Sequence, residues 1–151
     1  MNIAAQPPVQ ADQTIYLKDY QKPAFLVESI HLDIQVYDDH TIVDSKLVMK
    51  RQTAGELVLL GRDLELKSVQ LNGQTLSAEQ YHLDTEQLVI TDAPDEVIVQ
   101  TQVIIHPESN TQLEGLYQAA SDLFVTQNEP EGFRKITFYP DRPDVLSVFT
   151  T

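Results

Sequence analysis

Apolar and polar residues alternate along much of this chain. Ile30, Leu32, Ile34 and Val36 are apolar, and Ser29, His31, Asp33 and Gln35 between them are polar. A period of two sets one face on a core and the other in water, as in an antiparallel strand. Asp38-Asp39-His40 reads as a turn, and Thr41, Val43, Ser45, Leu47 and Met49 supply the returning strand of a hairpin. Leu57–Leu60 is a short apolar run, and Leu64 and Leu66 belong to another short strand. Val69 and Leu71 lead into Asn72-Gly73, a strong hairpin signal because both turn residues must tolerate positive φ. Residues 81–83 and 88–90 read as two short strands around Asp84-Thr85-Glu86. The longest strand spans 97–105, with Val97, Val99, Thr101, Val103 and Ile105 on one face, and Pro107 closes it. Residues 116–119 and 123–127 form a further hairpin around Ala120-Ser121-Asp122. With few windows of helical period, the pattern predicts an all-β, mostly antiparallel sheet or sandwich.

The two ends of the chain depart from this pattern. Residues 1–15 carry two consecutive prolines and no periodicity, which reads as a flexible N-terminal arm. Residues 16–151 read as a single β-domain, without internal repeat or linker. The stretch 127–144, Q-N-E-P-E-G-F-R-K-I-T-F-Y-P-D-R-P-D, mixes acids, bases and aromatics with prolines and a glycine. It is too irregular for a helix and too polar for an ordinary strand, the profile both of functional loops and of well-packed corners.

Charge narrows the partners. Ten Lys and Arg stand against 23 Asp and Glu, a net charge of −13. A phosphate backbone or an anionic membrane surface would meet no source of counterion release, so neither nucleic acid nor membrane is expected as a partner. The absence of cysteine removes disulfides, thiolate metal sites and thiol nucleophiles. No stretch has the length and apolarity of a membrane span, and no cationic start precedes an apolar run, so the cytoplasm is the simplest expected compartment, with a bacterial periplasm after signal removal equally compatible with the absence of Cys.

Self-contained catalytic chemistry is not visible. His31, His40, His82 and His106 have no partner histidine three or four residues away, and H-E-x-x-H is absent. There is no G-x-S-x-G, and five scattered glycines make no phosphate-cradling loop. Paired carboxylates occur at Glu129/Glu131 and Asp141/Asp144, beside Arg134 and Arg142. On residue types alone these read as solvated loop acids in exposed pairs, contributing about 0–1 kcal/mol each, or as one carboxylate aimed at a cation in a cleft.

Motif order in the C-terminal third adds a resemblance. N-T-Q-L-E-G-L-Y-Q at 110–118, T-Q-N-E-P-E-G-F-R at 126–134, Y-P-D-R-P-D-V at 139–145 and F-T-T at 149–151 follow one another. In that order and spacing they resemble the N-terminal domain of bacterial aminopeptidase N, a family of gluzincin-type zinc metallo-aminopeptidases. Y-L-K-D-Y-Q-K-P at 16–23 is similar to the family's opening, while 24–109 match in strand order and length.

The resemblance implies a saddle-shaped, mostly antiparallel β-domain and a much longer parent chain. There a thermolysin-like catalytic domain supplies the zinc ligands, the general base and the G-A-M-E-N substrate loop. On that basis this chain is a fragment that stops short of the β-domain's end, holds no catalytic residue, binds no zinc and is inactive alone. Its expected contribution is substrate binding: Glu129 for the free α-ammonium of a peptide N-terminus, and Gln127 at the wall of the first side-chain pocket. Arg134, Asp141 and Arg142 match the motif as residues that hold the loop. Asn128, Pro130 and Pro140 depart from the familiar bacterial version, and Pro130 should stiffen the loop without blocking the carboxylate. The competing reading is a stand-alone β-sandwich module for binding or interaction. Its Tyr and Phe are scattered, and no Trp is present for sugar stacking.

Overall fold

A computed structural model describes residues 16–129 and 131–151. The arm read over 1–15, and Pro130, lie outside the described residues. Among the described residues there are eleven strands: β1 (Phe25–Val36), β2 (Thr41–Arg51), β3 (Leu57–Leu60), β4 (Glu65–Leu71), β5 (Gln74–Thr75), β6 (His82–Leu83), β7 (Gln87–Ile90), β8 (Glu96–Ile105), β9 (Gly115–Ala120), β10 (Leu123–Gln127) and β11 (Val148–Thr150). Single 3-10 turns occupy Leu17–Asp19 and Phe133–Lys135. The fold is all-β, as the alternation predicts. Among the described residues no helix is long and apolar enough to cross a membrane.

The strands form a six-stranded sheet in the order β11-β1-β2-β8-β4-β5, a three-stranded sheet β3-β7-β6, and the β9–β10 ribbon. The β1–β11 pairing is parallel and the others are antiparallel. The inward residues of β2 and β8 are those expected: Val43, Leu47 and Met49 face the core with Val97, Val99, Val103 and Ile105. They meet Leu57, Leu59, Leu88 and Ile90 of the three-stranded sheet in one contiguous apolar cluster.

Two strands change parity partway, and a bulge resolves each change. In β1 the buried residues are Phe25 and Val27, then Ile30 and Leu32. Val27 pairs with Met49 and Ser29 with Val48, so Glu28 is the extra residue and both apolar sets point inward. In β4, Leu66 pairs with Val103 and Ser68 with Gln102, which leaves Lys67 as the bulge. The two short runs read separately around Leu64 and Val69 are therefore one strand. Beyond it, Asn72 and Gly73 adopt φ of 51° and 79°, the mirror-image turn their sequence calls for. Asn72 also ties itself to the neighbouring strand, its Oδ1 accepting from the Ile98 N–H at 2.8 Å.

One polar pair lies within the apolar face of the large sheet. Ser45 and Thr101 are buried directly opposite each other on β2 and β8, with hydroxyls 2.8 Å apart. Each satisfies a group that would otherwise be stranded in the core. Ser45→Ala should therefore cost about 1–3 kcal/mol, by orphaning the Thr101 hydroxyl. The double change Ser45→Ala/Thr101→Val should cost less than the sum of the two single changes. Urea unfolding of the three variants checks this, and strictly additive losses would show that the pair contributes nothing as a pair.

Candidate functional site

The carboxyl-terminal motifs converge where the β9–β10 ribbon meets the 3-10 turn Phe133–Lys135. Gly115 opens β9 with φ of 71° and pairs with Gln127, the last residue of β10. A Cβ on Gly115 would stand 2.7 Å from the Lys135 Cβ. A Cβ on Gly132 would stand 2.5 Å from the Gln127 carbonyl oxygen and 3.0 Å from the Asn128 Cα. The glycines of L-E-G-L-Y and E-G-F-R thus stand where a neighbouring atom, the Lys135 Cβ in one case and the Gln127 carbonyl in the other, leaves no room for a side chain. The loop is closed by the Gly132 N–H donating to the Asn128 carbonyl at 2.9 Å. From the other side, the Asn110 amide donates to the Glu114 and Leu116 carbonyls at 2.7 and 2.9 Å.

Charged side chains then lock this junction. Arg134 donates from its main-chain N–H and its Nε to Asp141 Oδ2 at 3.0 and 3.1 Å, and from Nη2 to the Asp141 carbonyl at 2.9 Å. It also pairs with Glu131 at 3.1 Å. The Arg134 and Asp141 side chains are only 13% and 14% exposed. The pair is therefore a largely buried clamp, unlike the exposed contact that residue types alone imply, and it holds the loop as the motif resemblance anticipates.

A second clamp lies nearer the surface. Arg142 grips both carboxylate oxygens of Asp144 at 2.9 and 2.7 Å and donates to the Gln21 carbonyl at 2.9 Å. The Tyr20 hydroxyl donates to the same carboxylate at 2.8 Å. The Arg142 hydrogen bonds foremost, then the Tyr20 hydroxyl, against an opposing desolvation cost, hold the Asp144 carboxyl below the usual carboxylate range.

Sequence reasoning missed the third anchor. Lys135 has a side chain only 5% exposed, and its ammonium donates to Asp63 Oδ2 at 2.8 Å and to Gln112 Oε1. Asp63, Leu113 and Glu131 all adopt positive φ without being glycine. Asp63 and Glu131 are members of these ion pairs, and Leu113 follows Gln112, which accepts from Lys135; backbone of this kind persists only where surrounding contacts over-determine it. The available signal was the lysine itself, placed directly before the apolar I-T-F run.

Gln127 and Glu129 are both exposed, at and just beyond the end of β10. The Gln127 carboxamide Nε2 donates to the Glu129 main-chain carbonyl at 2.9 Å. Of the four carboxylates in the 127–144 stretch, Glu131, Asp141 and Asp144 are held by arginines. Among the described residues Glu129 makes no ion pair. A cavity of about 270 Å³ lies beside the junction, lined by Asp63, His106, Asn110, Gln112, Leu116 and Lys135. It is lined by neither Gln127 nor Glu129. Among the described residues no three His, Asp or Glu side chains come together as metal ligands.

No family model matches the chain. Against curated proteins it is 42% identical over 141 residues to aminopeptidase N of Caulobacter vibrioides, covering 91% of this chain and 16% of that protein. Among solved structures it superposes on aminopeptidase A of Legionella pneumophila, determined with aspartic acid, at a TM-score of 0.77 and 27% identity, over 88% of this chain and 16% of that one. A variant M1 zinc metallopeptidase of Deinococcus radiodurans, bound to a Tyr-Ser-Ala substrate, shares the fold at a TM-score of 0.69 and 19% identity, over 83% of this chain and 31% of that one. The chain thus resembles the N-terminal region of aminopeptidase N over nearly its whole length, while spanning 16% of the curated relative's length.

Two outcomes test this junction. Gly132→Ala pushes a methyl group into main chain, so it should cost about 1–3 kcal/mol in urea unfolding. An unchanged midpoint would show that the close approach is not needed. A carboxyl depressed in the folded state stabilises it above its unfolded pKa, about 3.9 for Asp, and that contribution is lost as pH falls through the folded value. Asp144→Asn should therefore flatten the loss of stability below about pH 4, measured as unfolding midpoint against pH. An unaltered acid limb would contradict it.

Proposed function

We propose that residues 16–151 are a single β-domain forming the N-terminal part of a zinc-dependent, cytoplasmic aminopeptidase N, which removes N-terminal amino acids from peptides. Support comes from the 42% identity to an aminopeptidase N across 91% of the chain, and from the shared fold of zinc metallopeptidases. Zinc, the general base and the scissile-bond chemistry belong on this reading to the remainder of the parent chain. The described residues offer no fitting ligand set for the metal.

The observation that carries the reading is the distribution of charge in the 127–144 stretch. Three of its carboxylates are held by arginines, and Glu129 is paired with no cation of the described chain. In the intact protein the α-ammonium of a bound peptide fills that vacancy, with Gln127 bordering the space for the first side chain. Closure of the catalytic part over the exposed Glu129 removes water, which strengthens the pairing and raises the cost of leaving it unmade. An internal peptide nitrogen carries no charge to offer, and leaving a desolvated carboxylate unpaired costs about 2–5 kcal/mol. Selection of chain ends over internal bonds follows without altering the hydrolytic step.

In the full-length protein, Glu129→Gln should raise KM for aminoacyl substrates about tenfold or more. KM of the unmodified enzyme should also climb as pH rises past about 8, where an α-amino group loses its proton. That climb should vanish in the variant. Steady-state kinetics across pH on an aminoacyl substrate reads both, and unchanged KM and pH dependence would refute the assignment.

A further inference from the structure

Asn72 is the one asparagine of this chain followed by glycine. Asn2, Asn110 and Asn128 precede Ile3, Thr111 and Glu129, whose side chains crowd the next peptide nitrogen. An uncrowded glycine nitrogen can attack the preceding carboxamide and close a five-membered ring. Asn72 and Gly73 are both exposed, and a Cβ on Gly73 would meet no atom within 4 Å beyond its chain neighbours, so water reaches the pair. The fold nevertheless holds the reacting atoms apart. Ring closure requires the Gly73 nitrogen to rotate beside the Asn72 Cβ about the Cα–C bond. The mirror-image turn, with φ of 51° and 79°, sets that nitrogen on the far side. The carboxamide is held as well. The Asn72 N–H donates to the Ile98 carbonyl at 2.8 Å, and the Ile98 N–H donates to Asn72 Oδ1 at 2.8 Å. Oδ1 thereby takes the place that a main-chain carbonyl has in an antiparallel rung, and the side chain becomes the last link between β4 and β8. The Ile98 bond also draws electron density from Cγ, which favours attack, but a carbon that the nitrogen cannot reach does not react.

This lock rests on a slender element. β5 has two residues and pairs with β4 at Gln70–Thr75 and Leu71–Gln74. It is the outermost strand at its edge of the six-stranded sheet. Leu76 anchors the arm, its N–H donating to the Val69 carbonyl at 3.0 Å and its half-buried side chain packing on the core. Elements of this kind open locally while the rest of the sheet stays folded. We propose that Asn72 is a site of spontaneous deamidation, kept silent by the β4–β5 turn and its bond to β8 and released whenever this edge hairpin opens. The Gly73 nitrogen, having lost its proton to hydroxide, bonds to Asn72 Cγ. The Cγ–Nδ2 bond breaks, and ammonia leaves with a proton taken from water. Water then opens the succinimide at one of its two carbonyls. Opening at Cγ gives aspartate, whose carboxylate still offers an acceptor to the Ile98 N–H. Opening at the main-chain carbonyl gives isoaspartate, which routes the chain through Cβ and Cγ. A two-residue turn then carries one extra backbone atom, and the register of Leu71 against Gln74 is lost. That product fixes the hairpin open.

The test incubates the full-length protein in mildly alkaline buffer, in urea below its unfolding midpoint, and in urea that unfolds it. Peptide mapping by mass spectrometry reads conversion at each asparagine, and labelling by an isoaspartyl methyltransferase reads the rearranged product. In the unfolded chain Asn72 should convert faster than Asn110 and Asn128. In the folded protein it should convert about tenfold or more slowly than in the unfolded chain. Leu76→Ala, which loosens the arm at its anchor, should speed folded-state conversion about threefold or more. In the unaltered protein, low urea should change the folded-state rate little, because opening a two-residue strand exposes little surface. Conversion at Asn72 no faster than at the other two in the unfolded chain would remove the site. Equal rates in the folded and unfolded protein would remove the lock. A folded-state rate that climbs with urea as steeply as global unfolding does, or that ignores Leu76→Ala in a variant shown to be folded, would remove the hairpin as the gate. Any one of these outcomes overturns the proposal.

Discussion

At Gly115 and Gly132 neighbouring atoms, the Lys135 Cβ and the Gln127 carbonyl, stand closer than any side chain permits, and the candidate site is built on those two contacts. The ribbon of β9 and β10 has little apolar burial of its own, and a two-stranded ribbon is marginal in water. It is held by the 3-10 turn against which Gly115 and Gly132 pack, and by Lys135, whose ammonium reaches Asp63 on one side and Gln112 on the other. Because the turn also carries Arg134, the same few residues connect the ribbon to the Asp141 segment. The position of Glu129 is thus inherited from rigid neighbours rather than from contacts of its own side chain.

Charge is divided in a consistent way across this region. Cations inside the stretch are consumed by structural partners, and Lys135 is buried entirely within such a partnership. Glu129 is left over, in a chain that already carries an excess of acid. A cationic ligand arriving there displaces no internal partner. Recognition of a peptide terminus would then draw on a charge the fold has kept uncommitted.

Much of the fold was legible because the strands are amphipathic. The inward faces of β2 and β8 follow directly from alternation at Val43, Leu47, Val99 and Val103, and the turn at Asn72-Gly73 follows from its φ requirement. The bulges at Glu28 and Lys67 were not legible, since a shift of parity looks the same in sequence as the end of one strand and the start of another. Nor was β11 read in advance: it is three residues long and pairs in parallel with β1, the most distant strand in sequence. The 127–144 stretch was recognisable as unusual but not divisible. Its first part is exposed around Glu129, whereas Ile136, Phe138 and Tyr139 are core residues, and Tyr139 exchanges two main-chain hydrogen bonds with Leu60. Residue types distinguished the motif, and only the three-dimensional arrangement separated its structural half from its candidate binding half.

The bulge at Glu28 acts as a phase shifter between two apolar sets that would otherwise face opposite sides of the sheet. Substituting Glu28 leaves that offset in place, because the extra backbone unit remains. Deleting it would be a different kind of change: Phe25 and Val27 would rotate into water together, and the Arg51 guanidinium that stacks on the Phe25 ring would lose its platform. Length at this point of the chain is therefore under stronger constraint than identity. Among descendants of this domain, gaps should be rarer at position 28 than changes of residue there.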